Sequence, residues 1–305
     1  VGYAVGIKNV CFSEGFDDFS TARVRLELAG GEPTAQVHTA AAEVGQGLVT
    51  VLGQIARTEL GIERVVILPA DTSIDSAGSS SASRQTYVTG GAVRAACQQV
   101  RERVLQRARE RFPAAGATLS GGKVLSPEGS VIADLGDLLD APAEETVTWR
   151  HRPTYALDKS TGQGVAHVQY AFAAHRAVVD VDVELGLVRI VEIATAQDVG
   201  RAINPAAVVG QIQGGTAQGI GLALMEEIQV VDGVVANPSF TDYLIPTILD
   251  MPPMRVDVLE LADPHAPYGL GGVGEPPTIS ATPAVVAAIR AAQLGKNLDP
   301  AAEIR

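Results

Sequence analysis

Apolar and polar positions alternate along residues 22–28 (ARVRLEL) and again along 35–39, with Gly30-Gly31 between them. A period of two is that of a half-buried strand, so the pattern predicts two strands joined by a glycine turn. The first residues, VGYAVGIKN, also alternate, so the chain opens inside a strand. Residues 48–60 (LVTVLGQIARTEL) switch to helical spacing, with Gly61 placed to cap the end. The short apolar run 64–69 (RVVILP) reads as a buried strand, and 71–85 as a long polar loop. A long helix is expected from about Gly90 to Arg111, ended by Pro113. Residues 165–183 and 187–197 alternate on either side of Leu185-Gly186 and predict a hairpin. Asn204-Pro205 is a good start for a glycine-rich helix over 205–226. Glycine inside a helix costs about 1 kcal/mol against alanine, so several there imply the close approach of another backbone or a ligand. A second hairpin around Asp232-Gly233, a strand at 255–260 and a last helix over 283–294, after Thr282-Pro283, complete the pattern.

Strands and helices alternate irregularly and hairpins are mixed in, which favours an α+β fold with mixed sheets over a regular βαβ array. Residues 113–153 mix Gly, Pro and Asp with short apolar pieces, and a subdomain boundary is placed there. The expected division is 1–140 and 141–305.

Composition narrows the function. With 46 % hydrophobic and 19 % charged residues over 305 positions, the chain is of globular type. A net charge of -12 repels phosphate backbones, so nucleic acid is not an expected partner. No apolar run reaches the roughly 20 residues that span a bilayer, and VGYAVGIKN does not have the layout of a signal peptide. Cys11 and Cys97 are too few for a disulfide framework or a four-thiolate iron–sulfur cluster and read as reduced residues of a cytoplasmic protein. The five histidines are scattered, without zinc-ligand spacing. A start inside a strand, without Met, suggests a piece of something larger.

Four segments carry candidate chemistry. Gly269-Leu270-Gly271-Gly272-Val273-Gly274 satisfies GxGxxG, which marks a dinucleotide site only between a strand and a helix. Glu275-Pro276-Pro277 follows, and two prolines are not expected to continue into an ordinary helical turn, so the dinucleotide reading is set aside. Glycines on one side and prolines on the other frame a single carboxylate, and such a group in a tight, poorly solvated loop suits general-base work; the plain alternative is a flexible glycine-rich loop. Gly45-Gln46-Gly47 before a helix offers backbone N–H groups and an amide, or is an ordinary turn. Ser79–Thr86 offers small residues and hydroxyls, with Arg84 and Gln85 available to hold phosphate or pterin heteroatoms, or is a mobile linker. Asp198-Val199-Gly200 and Asn204-Pro205 lead into the helix with Gln211 and Gln218, seven apart and near one face, which are site residues or a polar edge. No nucleophile elbow of the GxSxG kind with His and Asp partners is present.

In this order the four segments resemble the molybdenum-binding subunit of the xanthine dehydrogenase and aldehyde oxidase family, the molybdenum hydroxylases. The carrying motifs are Gly45-Gln46-Gly47, Ser80–Gln85, Asp198-Val199-Gly200…Asn204-Pro205…Gly210-Gln211…Gln218-Gly219, and Gly272-Val273-Gly274-Glu275-Pro276. The resemblance covers nearly the whole chain but only the C-terminal half of the family's subunit. It implies a second molybdopterin-binding domain of two α+β subdomains with packed helices. It implies Glu275 as the base that activates a Mo-bound hydroxide, with water as the oxygen source and hydride passing to Mo=S. Gly45, Gln46, Gly47, Ser80, Ser81, Ala82, Ser83, Arg84, Gln85, Gln211 and Gly274 match cofactor-binding positions, and Phe12 and Ala82 match substrate-facing ones. The metal itself is held by the pterin dithiolene, in the Mo-molybdopterin or cytosine dinucleotide form, rather than by protein side chains. Implied partners are the N-terminal half of the molybdenum subunit, an iron–sulfur subunit with 2Fe–2S clusters and an FAD subunit. HRPT (151–154), LDKSTGQG (157–164) and YAFAAHRAVVDVD (170–182) look most like bacterial xanthine dehydrogenase, so xanthine or hypoxanthine is the expected substrate. An aldehyde, nicotinate, another N-heterocycle, or a non-catalytic molybdopterin-binding module are the alternatives.

Overall fold

A computed structural model describes residues 1–113 and 115–294; the rest of the range expected for the second subdomain, 295–305, lies outside the described residues. Strands and helices follow the order β1 (Gly2–Val10), β2 (Phe19–Ala29), β3 (Glu32–Thr39), α1 (Leu48–Leu60), β4 (Arg64–Ile67), α2 (Gln85–Arg111), β5 (Thr118–Ser120), β6 (Lys123–Leu125), β7 (Val131–Asp134), β8 (Ala143–Arg150), β9 (Gln169–Asp182), β10 (Leu187–Asp198), α3 (Pro205–Leu224), β11 (Val230–Val231), β12 (Val234–Val235), β13 (Met254–Leu259) and α4 (Pro276–Leu294). The fold is α+β with mixed sheets, as expected.

The chain divides into two compact units, and neither is one continuous segment. A terminal unit comprises Val1–Val10, Gln169–Asp263 and the chain from Gly269 onward; a central unit comprises Cys11–Val168 with Pro264–Tyr268. This differs from a division near residue 140. Strand pairing is the reason: β8 lies antiparallel along β2, and β1 lies antiparallel along β9. Such long-range pairing leaves no trace in local composition.

In the central unit the sheet order is β4-β3-β2-β8, with β4 parallel to β3 and the other pairs antiparallel. Burial of Val88, Ala92, Ala96 and Val100 on α2 and of Leu52, Ile55 and Leu60 on α1, together with Val24 and Leu26 of β2, makes the core. Helix α2 starts at Gln85, ahead of the expected Gly90. Gly91 lies inside the helix because a Cβ there would stand 2.7 Å from the Trp149 ring of β8. The run at 64–67 is an edge strand with Val66 exposed, not a buried one. A small antiparallel sheet, β5-β6-β7, occupies the stretch where the change of composition suggests a boundary.

In the terminal unit the sheet order is β1-β9-β10-β13, with β13 parallel to β10. Helices α3 and α4 pack over a core of Ala177, Ile193, Ile220, Ala284, Val285, Ala288 and Ile289. Asn204 caps α3, its Oδ1 accepting from Ala207 N at 3.1 Å, and Pro205 follows at the first turn. The helix's glycines divide by role. A Cβ on Gly219 would lie 2.5 Å from Ala281 Cβ of α4, and one on Gly215 would lie 3.0 Å from Pro277 Cβ. Across the same seam Thr278 and Thr282 donate to the carbonyls of Gly215 (2.9 Å) and Gly219 (2.8 Å). Around Gly210 and Gly214, by contrast, an added Cβ would meet nothing.

Helix α4 starts at Pro276, seven residues before the expected start. The two prolines that argue against a helix occupy its first turn, where no N–H is needed for an intrahelical bond. Pro283 sits inside the helix. On β1 the strand period places Gly2, Ala4, Gly6 and Lys8 on one face and Tyr3, Val5 and Ile7 on the other. The first set faces α4: a Cβ on Gly2 would collide with the backbone at Ala284–Ala288, and one on Gly6 would lie 2.8 Å from Ile279. A buried polar network joins the sheet to both helices. His175 Nδ1 pairs with Ser280 Oγ at 2.8 Å and Nε2 with Thr216 Oγ1 at 3.0 Å. Among the described residues no helix is long and apolar enough to cross a membrane.

Candidate functional site

The carboxylate framed by glycines and prolines stands at the entry to α4, where the Glu275 carbonyl accepts from Thr278 N at 3.1 Å. The glycines before it have a backbone partner. Gly271 N donates to Val199 O at 2.8 Å and Arg201 N to Gly269 O at 2.8 Å, so the Asp198-Val199-Gly200 and Gly269–Gly271 motifs cross in direct contact. A Cβ on Gly271 would lie 2.6 Å from the Val199 carbonyl carbon, which excludes any larger residue. Gln169 Nε2 pins the crossing from β9, donating to Leu270 O at 2.9 Å and Asp263 Oδ2 at 2.7 Å.

Glu275 is half-buried and has a charged neighbour. Its side chain is 39 % exposed, and its Oε2 lies 2.9 Å from the Lys8 ammonium. Sequence reasoning missed Lys8. The signal was present in the small residues of one face of the first strand, Gly2, Ala4 and Gly6, with Lys8 next in that row. Gly274 and Gln211 are half-buried in the same unit, and a Cβ on Gly215 would lie 3.3 Å from the Gly274 carbonyl oxygen. Gln218 Oε1 accepts from Thr278 Oγ1 at 3.3 Å, so this glutamine touches the first turn of α4.

In the central unit the serine loop and Phe12 come together. Cys11 N donates to Ala82 O at 2.9 Å, and the Arg84 guanidinium lies 5.1 Å from the Phe12 ring centroid. Phe16 meets Phe12 edge-on, with centroids 5.0 Å apart. Ala82 and Ser83 both adopt left-handed φ, 54° and 49°, a conformation that costs about 1–3 kcal/mol for non-glycine residues and is held only by its surroundings. Arg84 and Gln85 supply that hold, and this corrects their expected role as ligand donors. Arg84 is fully buried and donates to Asp18, to Ala77 O (2.5 Å), Ser79 O (3.0 Å) and Phe19 O (3.0 Å). Gln85 Nε2 donates to Ser79 O at 3.1 Å, while its Oε1 accepts from Thr89 at 2.6 Å. Both side chains are spent on fastening the loop from beneath, and Ser79, Ser80 and Ser81 are exposed above it. Asp18 is buried, which opposes its ionisation, but the His151 ring 3.5 Å from its Oδ2 and hydrogen bonds from Arg84 and the Phe12 N–H hold it below the usual carboxylate range.

Gly45-Gln46-Gly47 also differs from expectation. Its N–H groups are already engaged: Gly45 and Gly47 donate to Glu43 Oε1 at 2.8 and 3.0 Å, and Val49 to Oε2 at 2.9 Å. These bonds outweigh the burial of Glu43 and keep it below its ordinary range. Gln46 closes the loop on itself, Oε1 accepting from Val44 N (2.7 Å) and Nε2 donating to Ala42 O (2.9 Å). The helix N-terminus thus carries its own anion.

Each unit has features that fit a large, polar, planar ligand approached closely by backbone. The central unit offers an exposed row of hydroxyls on a braced loop and open space where a side chain would stand on Gly45; the terminal unit offers the same open space at Gly210 and Gly214. The chain belongs to the molybdopterin cofactor-binding domain family: the model of that domain matches residues 1–252. More particularly, its relatives are molybdenum-binding subunits of the xanthine dehydrogenase and aldehyde oxidoreductase kind, the family that the four motifs resemble. It is 34 % identical to the gamma subunit of the 6-hydroxypseudooxynicotine dehydrogenase complex of Paenarthrobacter nicotinovorans, over 93 % of this chain and 36 % of that subunit. It is 29 % identical to the putative xanthine dehydrogenase molybdenum-binding subunit of Escherichia coli K12, over 94 % of this chain and 39 % of that protein. Among solved structures, quinoline 2-oxidoreductase from Pseudomonas putida 86 superposes with a TM-score of 0.77 at 30 % identity, covering 97 % of this chain and 39 % of that one. The chain therefore spans less than two fifths of the length of these relatives.

Proposed function

We propose that this chain is the cofactor-binding part of a molybdenum hydroxylase acting on an electron-poor ring carbon, with Glu275 as its base. The observation that carries the proposal is the placement of Glu275: one carboxylate, at the entry to a helix, in a segment whose backbone is fixed by the Val199–Gly271 crossing. The family match adds weight to it. When bound, the molybdenum cofactor supplies two-electron oxidation with water as the source of oxygen. The role of Glu275 is to take up the proton released. Ser80, Ser81 and Ser83 offer hydroxyls to the pterin from a loop that Arg84 and Gln85 hold rigid. Gln46, Gly45, Gly47, Gln211 and Gly274 are assigned to the cofactor as well, Gln46 by giving up its bonds within the loop. Phe12 and Ala82 are assigned to the substrate, Phe12 as an apolar wall.

Xanthine or hypoxanthine is the first substrate to screen. A second reading, the same chemistry on another N-heterocycle, draws support from the relatives, which include quinoline 2-oxidoreductase and a nicotine 6-hydroxylase large subunit. Since the chain spans so little of its relatives, activity requires the rest of the molybdenum subunit. Iron–sulfur and FAD subunits in the cytoplasm complete the proposed assembly by taking the electrons onward. The test is Glu275→Gln in the assembled complex. About one molybdenum per copy is expected to remain, with turnover reduced by about 10²–10⁴-fold, the range for a positioned base. Wild-type turnover in that variant would remove Glu275 from the mechanism.

A further inference from the structure

The ion pair at Glu275 follows from strand register. On β1 every second residue faces α4. Gly2 lies against Ala284–Ala288, Gly6 against Ile279 and Ser280, and the next residue in that row, Lys8, reaches Glu275 at the helix entry. Three small residues, Gly2, Ala4 and Gly6, and one long cation therefore run along the helix toward its start, and the cation ends beside the carboxylate.

The Lys8 ammonium donates to Asn9 O at 2.7 Å and Asn9 Oδ1 at 3.1 Å, and it forms an ion pair with Glu275 Oε2 at 2.9 Å. The lysine side chain is only 22 % exposed. A surface lysine on a free stem contributes little, because ordering it costs rotamer entropy. Here the chain neighbour Asn9 and the strand register have already fixed the ammonium. Glu275 Oε2 is fully buried, so it takes no part in the 39 % exposure of the side chain. Oε2 is thus the covered oxygen of the carboxylate, and it is the one that lies against the ammonium.

We propose that Lys8 is the positioning residue of Glu275. It holds Oε2, fixes the carboxylate rotamer and so assigns proton uptake to Oε1. This rests on the reading of Glu275 as the base and names the device that orients it.

The experiment uses the assembled complex with Lys8→Met, Lys8→Arg and Glu275→Gln, and Lys8→Met combined with Glu275→Gln. Residues that orient a reacting group typically account for about 10- to 100-fold in activity. Lys8→Met is expected to lower kcat by about that factor, with KM and molybdenum content unchanged, and Lys8→Arg to restore most of it. The double variant is expected to be no slower than Glu275→Gln alone, because Lys8 acts only through Glu275. Apart from turnover, hydrogen exchange at the Thr278 amide, which bonds the Glu275 carbonyl, should rise in Lys8→Met while the amides of β9 and β10 stay as they were. Wild-type kcat in Lys8→Met, or a loss matched by lost molybdenum or by faster exchange throughout the sheet, would overturn the assignment; Lys8→Gln takes the place of Lys8→Met if that variant fails to assemble. Full turnover in Glu275→Gln would instead overturn the base reading itself, so the two failures are distinguishable.

Discussion

His175 shows how far a single buried side chain can tie acidity to folding. It bridges α3 and α4 through Thr216 and Ser280, it is 2 % exposed, and burial pushes its pKa down from 6.5 to about 4. The unfolded chain takes up a proton near pH 6.5, and the native state refuses it until about pH 4. Stability from this residue is therefore complete above pH 6.5 and falls as the pH is lowered to 4. The loss is about 3 kcal/mol in all, since each pH unit of that interval is worth about 1.4 kcal/mol. Urea midpoints at pH 7.0 and 4.5 check this: the difference between them should shrink in His175→Gln, which keeps a polar group at the site but cannot take up the proton. An equal difference in both proteins would place the pH sensitivity elsewhere. The same scale explains why the sequence is misleading at Arg84 and Gln85. A guanidinium and an amide beside a serine loop announce donors, but not the direction in which they point, and here they point inward at Ala77 O and Ser79 O.

At the scale of elements, the seam between α3 and α4 gives two glycines opposite roles. Gly214→Ala should stabilise by about 1 kcal/mol, because its Cβ meets nothing and alanine is the better helix former. Gly219→Ala should destabilise, by about 1–3 kcal/mol, since the new methyl would overlap Ala281 Cβ. Thermal melts of the two variants should move in opposite directions; a shared sign would mean that the helices can slide apart. Much of this architecture is legible in the sequence. The period over 48–60 matches α1 at both ends, Asn204-Pro205 marks the true start of α3, and Leu185-Gly186 turns the β9–β10 hairpin. The two helices that start earlier than expected, ahead of Gly90 and Pro283, share one cause. Glycine and proline are breakers in isolation, yet Gly91 makes room for Trp149, and Pro276 and Pro277 occupy a turn that needs no donor. Of the site, the carboxylate and its glycine frame are readable because they are contiguous. Lys8 is not, because it lies 267 positions away and only the packing of β1 on α4 brings it near.

At the scale of the whole molecule, Phe240, Ile248 and Leu249 are 84 %, 86 % and 93 % exposed in the stretch that follows α3. Apolar side chains exposed to this degree favour association. The chain purified alone is expected to self-associate, and Ile248→Lys with Leu249→Lys to raise the monomer fraction in sedimentation without shifting the melting temperature; an unchanged monomer fraction would clear this stretch. The interleaved order of the two units has a further consequence, in time. Strand β1 emerges from the ribosome well before its partner β9, which begins only at Gln169. At roughly 5–20 residues per second, synthesis of the intervening segment takes on the order of 8–30 s. For that interval the nascent protein carries an unmatched strand with Tyr3, Val5 and Ile7 along one side, while the central unit can be completed only when Pro264–Tyr268 arrives later still. Strand β1 needs cover through that interval, and a holdase bound to it would have its longest opportunity there.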